Sequence, residues 1–221
     1  METQILWNIK ATIGIAFPKC KLFDDNYTWL HICQTVERMK PVVSCKVVVW
    51  KKPTERRFKL NSDGSFLNNN NRAGIGGIIR DVVGDLVMAY SIPIFCESNN
   101  QAEAEAVRYG VQWCNQNNIN RLDLEMDSMV IANMIKDDNN SNLKLKEIIR
   151  EIRLSMDIDE TQVRHCFREV NQMADLLAKM ASSSGMGSFY CSFQQLPKEL
   201  KRPFQLDKCQ LPSIRRTFDK G

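Results

Sequence analysis

The spacing of apolar and polar residues changes several times along the chain, and each change marks an element. From Arg57 to Ser62 the two kinds alternate, which predicts a half-buried strand. Asp63-Gly64 predicts a turn after it, extended by the run Asn68 to Asn71. Ala73 to Arg80, rich in Ile and Gly, predicts a second strand. Asp81 to Asp85, with Gly84, predicts a hairpin turn, and Leu86 to Ser91 a third strand. Three antiparallel strands are therefore expected first.

The period then becomes helical. Ala106, Val107, Gly110, Val111 and Cys114 recur at helix spacing, and Ser98 or Asn99 can cap the helix that carries them. Leu122, Leu124 and Met126 alternate on a fourth strand. Asp127-Ser128 can cap a short helix over Met129 to Lys136, and Leu143 to Leu154 carries another helical pattern. Thr161 to Phe167 predicts a fifth strand. Glu169 to Ala181 predicts a last helix, with Met173, Leu176, Leu177 and Met180 on its buried side. This order predicts an α/β fold: one five-stranded mixed sheet, three antiparallel then two parallel strands, with helices on both faces.

The ends read differently. Residues 1–54 form an extension of no assigned role, in which Asn26 to Met39 predicts an amphipathic helix and Val42 to Trp50 a strand. Residues 55–182 form the α/β domain. Residues 183–221 open with Ser-Ser-Gly-Met-Gly-Ser and carry three prolines and several basic residues, which predicts a linker and a basic irregular tail.

Composition narrows the function classes. The 221 residues are 43% hydrophobic, enough for one domain with a sizeable core. No stretch reaches the roughly 18 apolar residues of a membrane span. The short run Ile13 to Phe17, between Lys10 and Pro18, does not read as a secretory signal. Eight cysteines are scattered without a C-x-x-C pair, and the only histidines are His31 and His165, so a zinc site is not expected. Reduced thiols in a chain that is not secreted point to the cytoplasm or nucleus. Residues 55–182 hold 15 Lys+Arg against 19 Asp+Glu, a balance of −4, whereas the flanks hold 15 against 7, a balance of +8. If the middle binds a polyanion, metal ions or the flanks must help.

Four acids stand where a solvated face would not put them. Asp63 follows the first strand, pointing away from Phe58 and Leu60. Glu103 lies in the first turn of the first helix, on the side of Val107 and Gly110. Asp127 ends the fourth strand, and Asp175 lies between Met173-Ala174 and Leu176-Leu177. A carboxylate near apolar positions is costly to bury alone, and a metal ion removes that cost. Each also has a plainer reading. Asp63-Gly64 is a common turn pair, Asp127 a good cap, Glu103 suits a helix N-terminus, and Asp175 can pair with an arginine.

The stretches around these acids carry a family resemblance. KLNSDGSF (59–66), AGIGGIIRDVVGDL (73–86), SNNQAEAEAVRYG (98–110), LEMDS (124–128) and HCFREVNQMADLLAKMA (165–181) resemble, in order, the type 1 ribonuclease H family. The likeness is closest to its plant branch from non-LTR retroelements. The tail segment LPKELKRPFQLDKCQLPSIRR is similar to the usual C-terminal end of those plant proteins.

The resemblance implies a ribonuclease H-like fold and endonucleolytic hydrolysis of the RNA strand of an RNA/DNA hybrid. It implies that Asp63, Glu103, Asp127 and Asp175 hold two Mg²⁺ ions, for which Mn²⁺ can substitute. In two-metal chemistry such ions lie about 3.5–4 Å apart and flank the scissile phosphate. His165, ten residues before Asp175, matches the family's mobile histidine, which shuttles a proton or helps product leave. Asn99 and Asn100 match positions that touch the minor groove of the hybrid, and Asn171 matches a structural asparagine. The expected partner is nucleic acid, with no membrane and a monomeric chain. One departure stands out: the stretch Lys136 to Lys146, where some relatives carry a basic, Trp-rich loop, contains Asp137 and Asp138 and no aromatic residue. The alternative function is a domesticated, non-catalytic domain that binds nucleic acid or a protein through the same fold.

Overall fold

The computed structural model describes residues 42–67, 72–137, 143–157 and 160–219, with isolated positions before residue 42. The turn expected at Asn68 to Asn71 lies outside the described residues, as do most of the helix expected over 26–39 and residues 138–142 of the stretch 136–146. The chain divides into two compact units. One comprises residues 1–46 and 216–221, the other Val47–Arg215. Among the described residues, no helix is long and apolar enough to cross a membrane.

β1 (Val42–Val48) and β8 (Ser213–Asp219) pair as a two-stranded sheet, and the Ser44 and Thr217 hydroxyls of the smaller unit lie 2.5 Å apart.

The larger unit is built on a mixed sheet. Its strands are β2 (Phe58–Leu67), β3 (Arg72–Arg80), β4 (Leu86–Phe95), β5 (Leu122–Met126), β6 (Thr161–His165) and β7 (Ser188–Tyr190), in the order β6-β5-β2-β3-β4-β7. β2, β3 and β4 are antiparallel, and β5 and β6 run parallel to β2, as the alternating pattern predicts. Helix α1 (Asn99–Gln116) crosses one face with α2 (Met129–Lys136) and α3 (Leu143–Ser155). Its Val107 and Val111 bury Leu60, Tyr90 and Leu124. The other face carries α4 (Gln172–Ser184) and α5 (Lys198–Lys208) over Ile78 and Ala89.

Four expectations change. Asp63-Gly64 does not turn: β2 runs on to Leu67, because β3 supplies a continuous ladder with Asp63 opposite Gly76 and Gly64 opposite Ile75. Pairing across the sheet outweighs the local turn preference.

The sheet has six strands rather than five. β7 adds to the outer edge of β4 through Ala89–Tyr190, Tyr90–Phe189 and Ser91–Ser188, removing an exposed edge.

Residues 183–219 are also more regular than the linker composition suggests. In α5, Leu200 and Phe204 form an i, i+4 apolar stripe that is fully buried under Ile78 and Ala89, despite Pro203 within the helix. Asp207 then pairs with the buried Arg80 at 2.8 Å. The compact unit therefore extends beyond 55–182 at both ends, to Val47 and Arg215.

Strand β2 also differs from a half-buried strand, since its polar face is covered too. Lys59 and Asn61 are buried, and each finds polar partners. Lys59 Nζ lies 2.5 Å from Glu125 Oε1. Asn61 Oδ1 accepts from Trp50 Nε1 at 2.9 Å and from Arg80 at 2.8 Å. Buried polar groups are tolerated when each finds a partner.

Candidate metal centre

Asp63, Glu103 and Asp127 come from three elements and meet at one end of the sheet. Each offers a carboxylate oxygen, and these oxygens lie within 4.8 Å of one another. Asp63 sits inside β2, Glu103 in the second turn of α1, and Asp127 directly after β5, where the parallel pairing of β2 and β5 brings it alongside Asp63. Asp63 and Glu103 are buried and Asp127 is half-buried.

Close backbone approach makes the meeting possible. A Cβ on Gly64 would stand 2.3 Å from the Glu103 nitrogen, so only glycine lets α1 lie this near β2. The Gly64 N–H donates to Glu103 Oε2 at 3.2 Å, and Asn99 Nδ2 donates to Oε1 at 3.5 Å. On the other face, a Cβ on Gly76 would stand 2.2 Å from the Ala178 nitrogen, which seats α4 against the strand opposite Asp63. Asn171 enters the site just ahead of α4. Its Nδ2 donates to the Ser62 carbonyl at 2.9 Å and to Asp127 Oδ1 at 3.4 Å.

The capping readings of the acids separate here. Ser98 caps α1 by accepting from the Gln101 N–H, and Ser128 caps α2 by accepting from the Ile131 N–H. Asp127 and Asn99 are therefore not the capping side chains. Glu103 lies beyond the first turn, so its hydrogen bonds reach Gly64 rather than the helix end. Asp175 does pair with an arginine. Arg168 reaches Oδ1 at 3.1 Å and Lys179 reaches Oδ2 at 2.7 Å, and Asp175 stands outside the tight group of three.

Burial and mutual repulsion set the electrostatics. Burial pushes the Asp63 carboxyl up to about 10, reinforced by the charges of Glu103 and Asp127, a hydrogen bond with Asp127, and the charge of Asp175. Burial likewise pushes Glu103 up to about 8, with Asp127 and Asp175 adding to it, while the bonds from Gly64 and Asn99 pull the other way. A metal-free cluster thus holds protons that carboxylates ordinarily release. A divalent cation would replace those protons. The all-oxygen donor set suits a hard ion such as Mg²⁺ or Mn²⁺.

The remaining predicted residues flank this group. His165 closes β6 opposite Met126, the neighbour of Asp127, and its half-buried ring stands edge-on to Phe167 with centroids 6.0 Å apart. Asn99 and Asn100 are exposed on the first turn of α1. Sequence reasoning missed the close approach at Gly64 and the pairing partners Arg168 and Lys179. A glycine directly after a strand acid was the available signal for the first. For the others the i, i+4 spacing of Asp175 and Lys179 was a local signal, and pairing of Asp175 with an arginine was expected without naming Arg168.

Comparison with known proteins agrees with this geometry. The family described as reverse transcriptase-like matches residues 61–181. The chain belongs to the reverse transcriptase-like family. Its ribonuclease H-like domain is of the plant retroelement type. An Arabidopsis thaliana protein whose name includes ribonuclease H is 31% identical over 153 residues, 69% of this chain and 24% of that protein. The chain thus spans about a quarter of the length of that curated relative. Among solved structures, the ribonuclease H1 of Halobacterium salinarum superposes with a TM-score of 0.52 at 23% identity, covering 58% of this chain and 98% of that one. The LC11 ribonuclease H1 from compost, in complex with an RNA/DNA hybrid, gives 0.53 at 25% identity, covering 58% and 99%. The ribonuclease H-like domain of this chain shares their fold.

Proposed function

We propose that the chain is an endonuclease that hydrolyses the RNA strand of RNA/DNA hybrids. One observation carries this reading: three carboxylates from three elements converge within 4.8 Å, and burial together with mutual repulsion raises two of them above the ordinary carboxylate range. With its carboxylates ionised, such a cluster opposes folding, and a bound cation offsets that cost. The solved relative named in complex with an RNA/DNA hybrid supports the substrate class.

Asp63, Glu103, Asp127 and Asp175 would hold two Mg²⁺ ions, with Mn²⁺ able to substitute; bound there, such ions would supply activation of a water for attack on the scissile phosphate and stabilisation of the leaving 3′ oxygen. The chain's own groups prepare that site. Asp63 shares a hydrogen bond with Asp127 and would contribute its carboxylate to the bound ions. Gly64 and Asn99 orient Glu103, and Asn171 orients Asp127. Arg168 and Lys179 hold Asp175 at the rim. His165 moves a proton at its imidazole nitrogen or assists product release. Asn99 and Asn100 face the minor groove, where the 2′-hydroxyls distinguish the RNA strand.

The test uses a labelled RNA/DNA hybrid with Mg²⁺ or Mn²⁺, beside an Asp63→Asn variant. The parent is expected to cut only the RNA strand, leaving 5′-phosphate and 3′-hydroxyl ends, and the variant to be inactive. No cleavage by the parent overturns the enzymatic reading, and binding without cleavage would favour the non-catalytic alternative. Equal cleavage by both proteins overturns the site.

A further inference from the structure

We infer that Arg215 is a positioning residue for the metal centre: it holds the segment from Cys166 to Asn171 and, through Phe167, the ring of His165. The inference rests on the hybrid-cleaving reading for its activity readout only.

The segment is short and carries much of the site. It joins His165 to Asn171 and leads into Asp175. Its own backbone bonds are few: Cys166 N–H to the Met126 carbonyl, then the 3₁₀ turn Arg168–Val170 closed by Val170 to Phe167 and Asn171 to Arg168. A single 3₁₀ turn has little stability by itself. What packs on it decides where it sits.

Two parts of the chain pack on it, and both lie outside the family match at 61–181. From one side come Val48 and Trp50, which cluster with Val170, Cys166 and Phe167. Trp50 is itself anchored. Its indole N–H donates to Asn61 Oδ1, and the Arg80 guanidinium stacks 3.7 Å above its ring. Asn61 lies two residues before Asp63, on the same face of β2.

Arg215 grips the segment elsewhere. Its NH1 reaches the two oxygens of Glu169 at 3.1 and 3.4 Å, and its guanidinium carbon lies 4.5 Å from the centre of the Phe167 ring. Phe167 in turn meets His165 edge-on, at 87°. One guanidinium therefore fixes both the acid in the 3₁₀ turn and the aromatic ring that abuts the histidine. A planar cation suits this double contact better than an ammonium would. Arg215 and Glu169 are each about one-third exposed, at 32% and 29%. An ion pair so accessible adds little to global stability. A merely structural role would leave the site unmoved, whereas a positioning role acts locally.

The full chain with Arg215→Gln provides the test, in a His31→Gln background that leaves His165 as the single histidine. NMR reads the His165 ring signals, and hybrid cleavage in Mg²⁺ reads kcat and KM separately. The ring signals are expected to shift and broaden while the melting curve stays nearly unchanged. For kcat we expect a fall of about tenfold, below the ~10²-fold that a 1 Å misplacement can cost, with KM nearly constant. Unmoved His165 signals overturn the inference, as do shifted signals with an unchanged kcat. A large fall in melting temperature with resonance changes throughout the core overturns it too, by making the role structural. If the parent cuts no hybrid, the proposed function fails, and the His165 signals alone decide this point.

Discussion

Gly64 donates its N–H to Glu103 Oε2 at 3.2 Å, and a Cβ on Gly64 would stand 2.3 Å from the Glu103 backbone nitrogen. The contact is backbone against backbone, so no side chain can swing aside. Gly64→Ala is therefore expected to push α1 away from β2. Overpacking of this kind costs about 1–3 kcal/mol, measurable by urea unfolding. Hybrid cleavage should fall further than stability does, because the displaced helix carries Glu103. Unchanged cleavage would show that Glu103 is not needed at its present distance.

The raised carboxyls give a pH dependence with a definite sign. Asp63 and Glu103 stand at about 10 and about 8, above their ordinary values of 3.8 and 4.5. Between the ordinary range and these values the folded chain binds more protons than the unfolded one, so metal-free stability falls as pH rises. Asp63→Asn is expected to flatten that slope and to raise the metal-free melting temperature at alkaline pH. Each ~1 kcal/mol of relieved repulsion corresponds to roughly 2–4 °C in a chain of this size. Thermal melts of parent and variant in chelator at several pH values check it. A slope that is the same in both proteins contradicts the assignment.

Cation binding should reverse the same effect. Adding Mg²⁺ or Mn²⁺ at pH 8 is expected to raise the parent's melting temperature, because only the folded chain assembles the carboxylates. Asp63→Asn should respond far less. Equal responses would place the bound ion elsewhere.

Asn171 links β2, Asp127 and the start of α4 while being almost fully buried. Asn171→Ala leaves the Ser62 carbonyl and Asp127 without that donor. The expected loss is about 1–3 kcal/mol of stability together with reduced cleavage. Calorimetry and the hybrid assay measure the two separately.

The C-terminal segment belongs to the core of the larger unit, and Phe204→Ala tests this. Phe204 is 1% exposed beneath the sheet, and truncating a buried Phe costs about 3–5 kcal/mol. A change near zero in urea unfolding would mean that α5 is a removable appendage.

The order of strands and helices in the ribonuclease H-like domain was legible from the chain alone, because alternation and helical spacing are local properties. Strands β3 to β6 and helices α1 to α4 occur in the expected order, although β4 runs on to Phe95, β6 stops at His165 and α4 starts at Gln172, after a 3₁₀ turn over Arg168–Val170. Asp63, Glu103, Asp127 and Asp175 were legible as candidates only with the surrounding motifs, since each acid also fits a turn, a cap or an ion pair. Tertiary structure decided among those readings. Pairing with β3 carried β2 straight through Asp63-Gly64, and Ser98 and Ser128 took the caps. Arg168 and Lys179 claimed Asp175. The tail was illegible for the same reason. Leu200 and Phe204 form too sparse a stripe to announce a helix, and they become core only because Ile78 and Ala89 need a cover. Local spacing specifies an element and such near pairs as Asp175 with Lys179, whereas burial and strand pairing depend on residues far away in the chain.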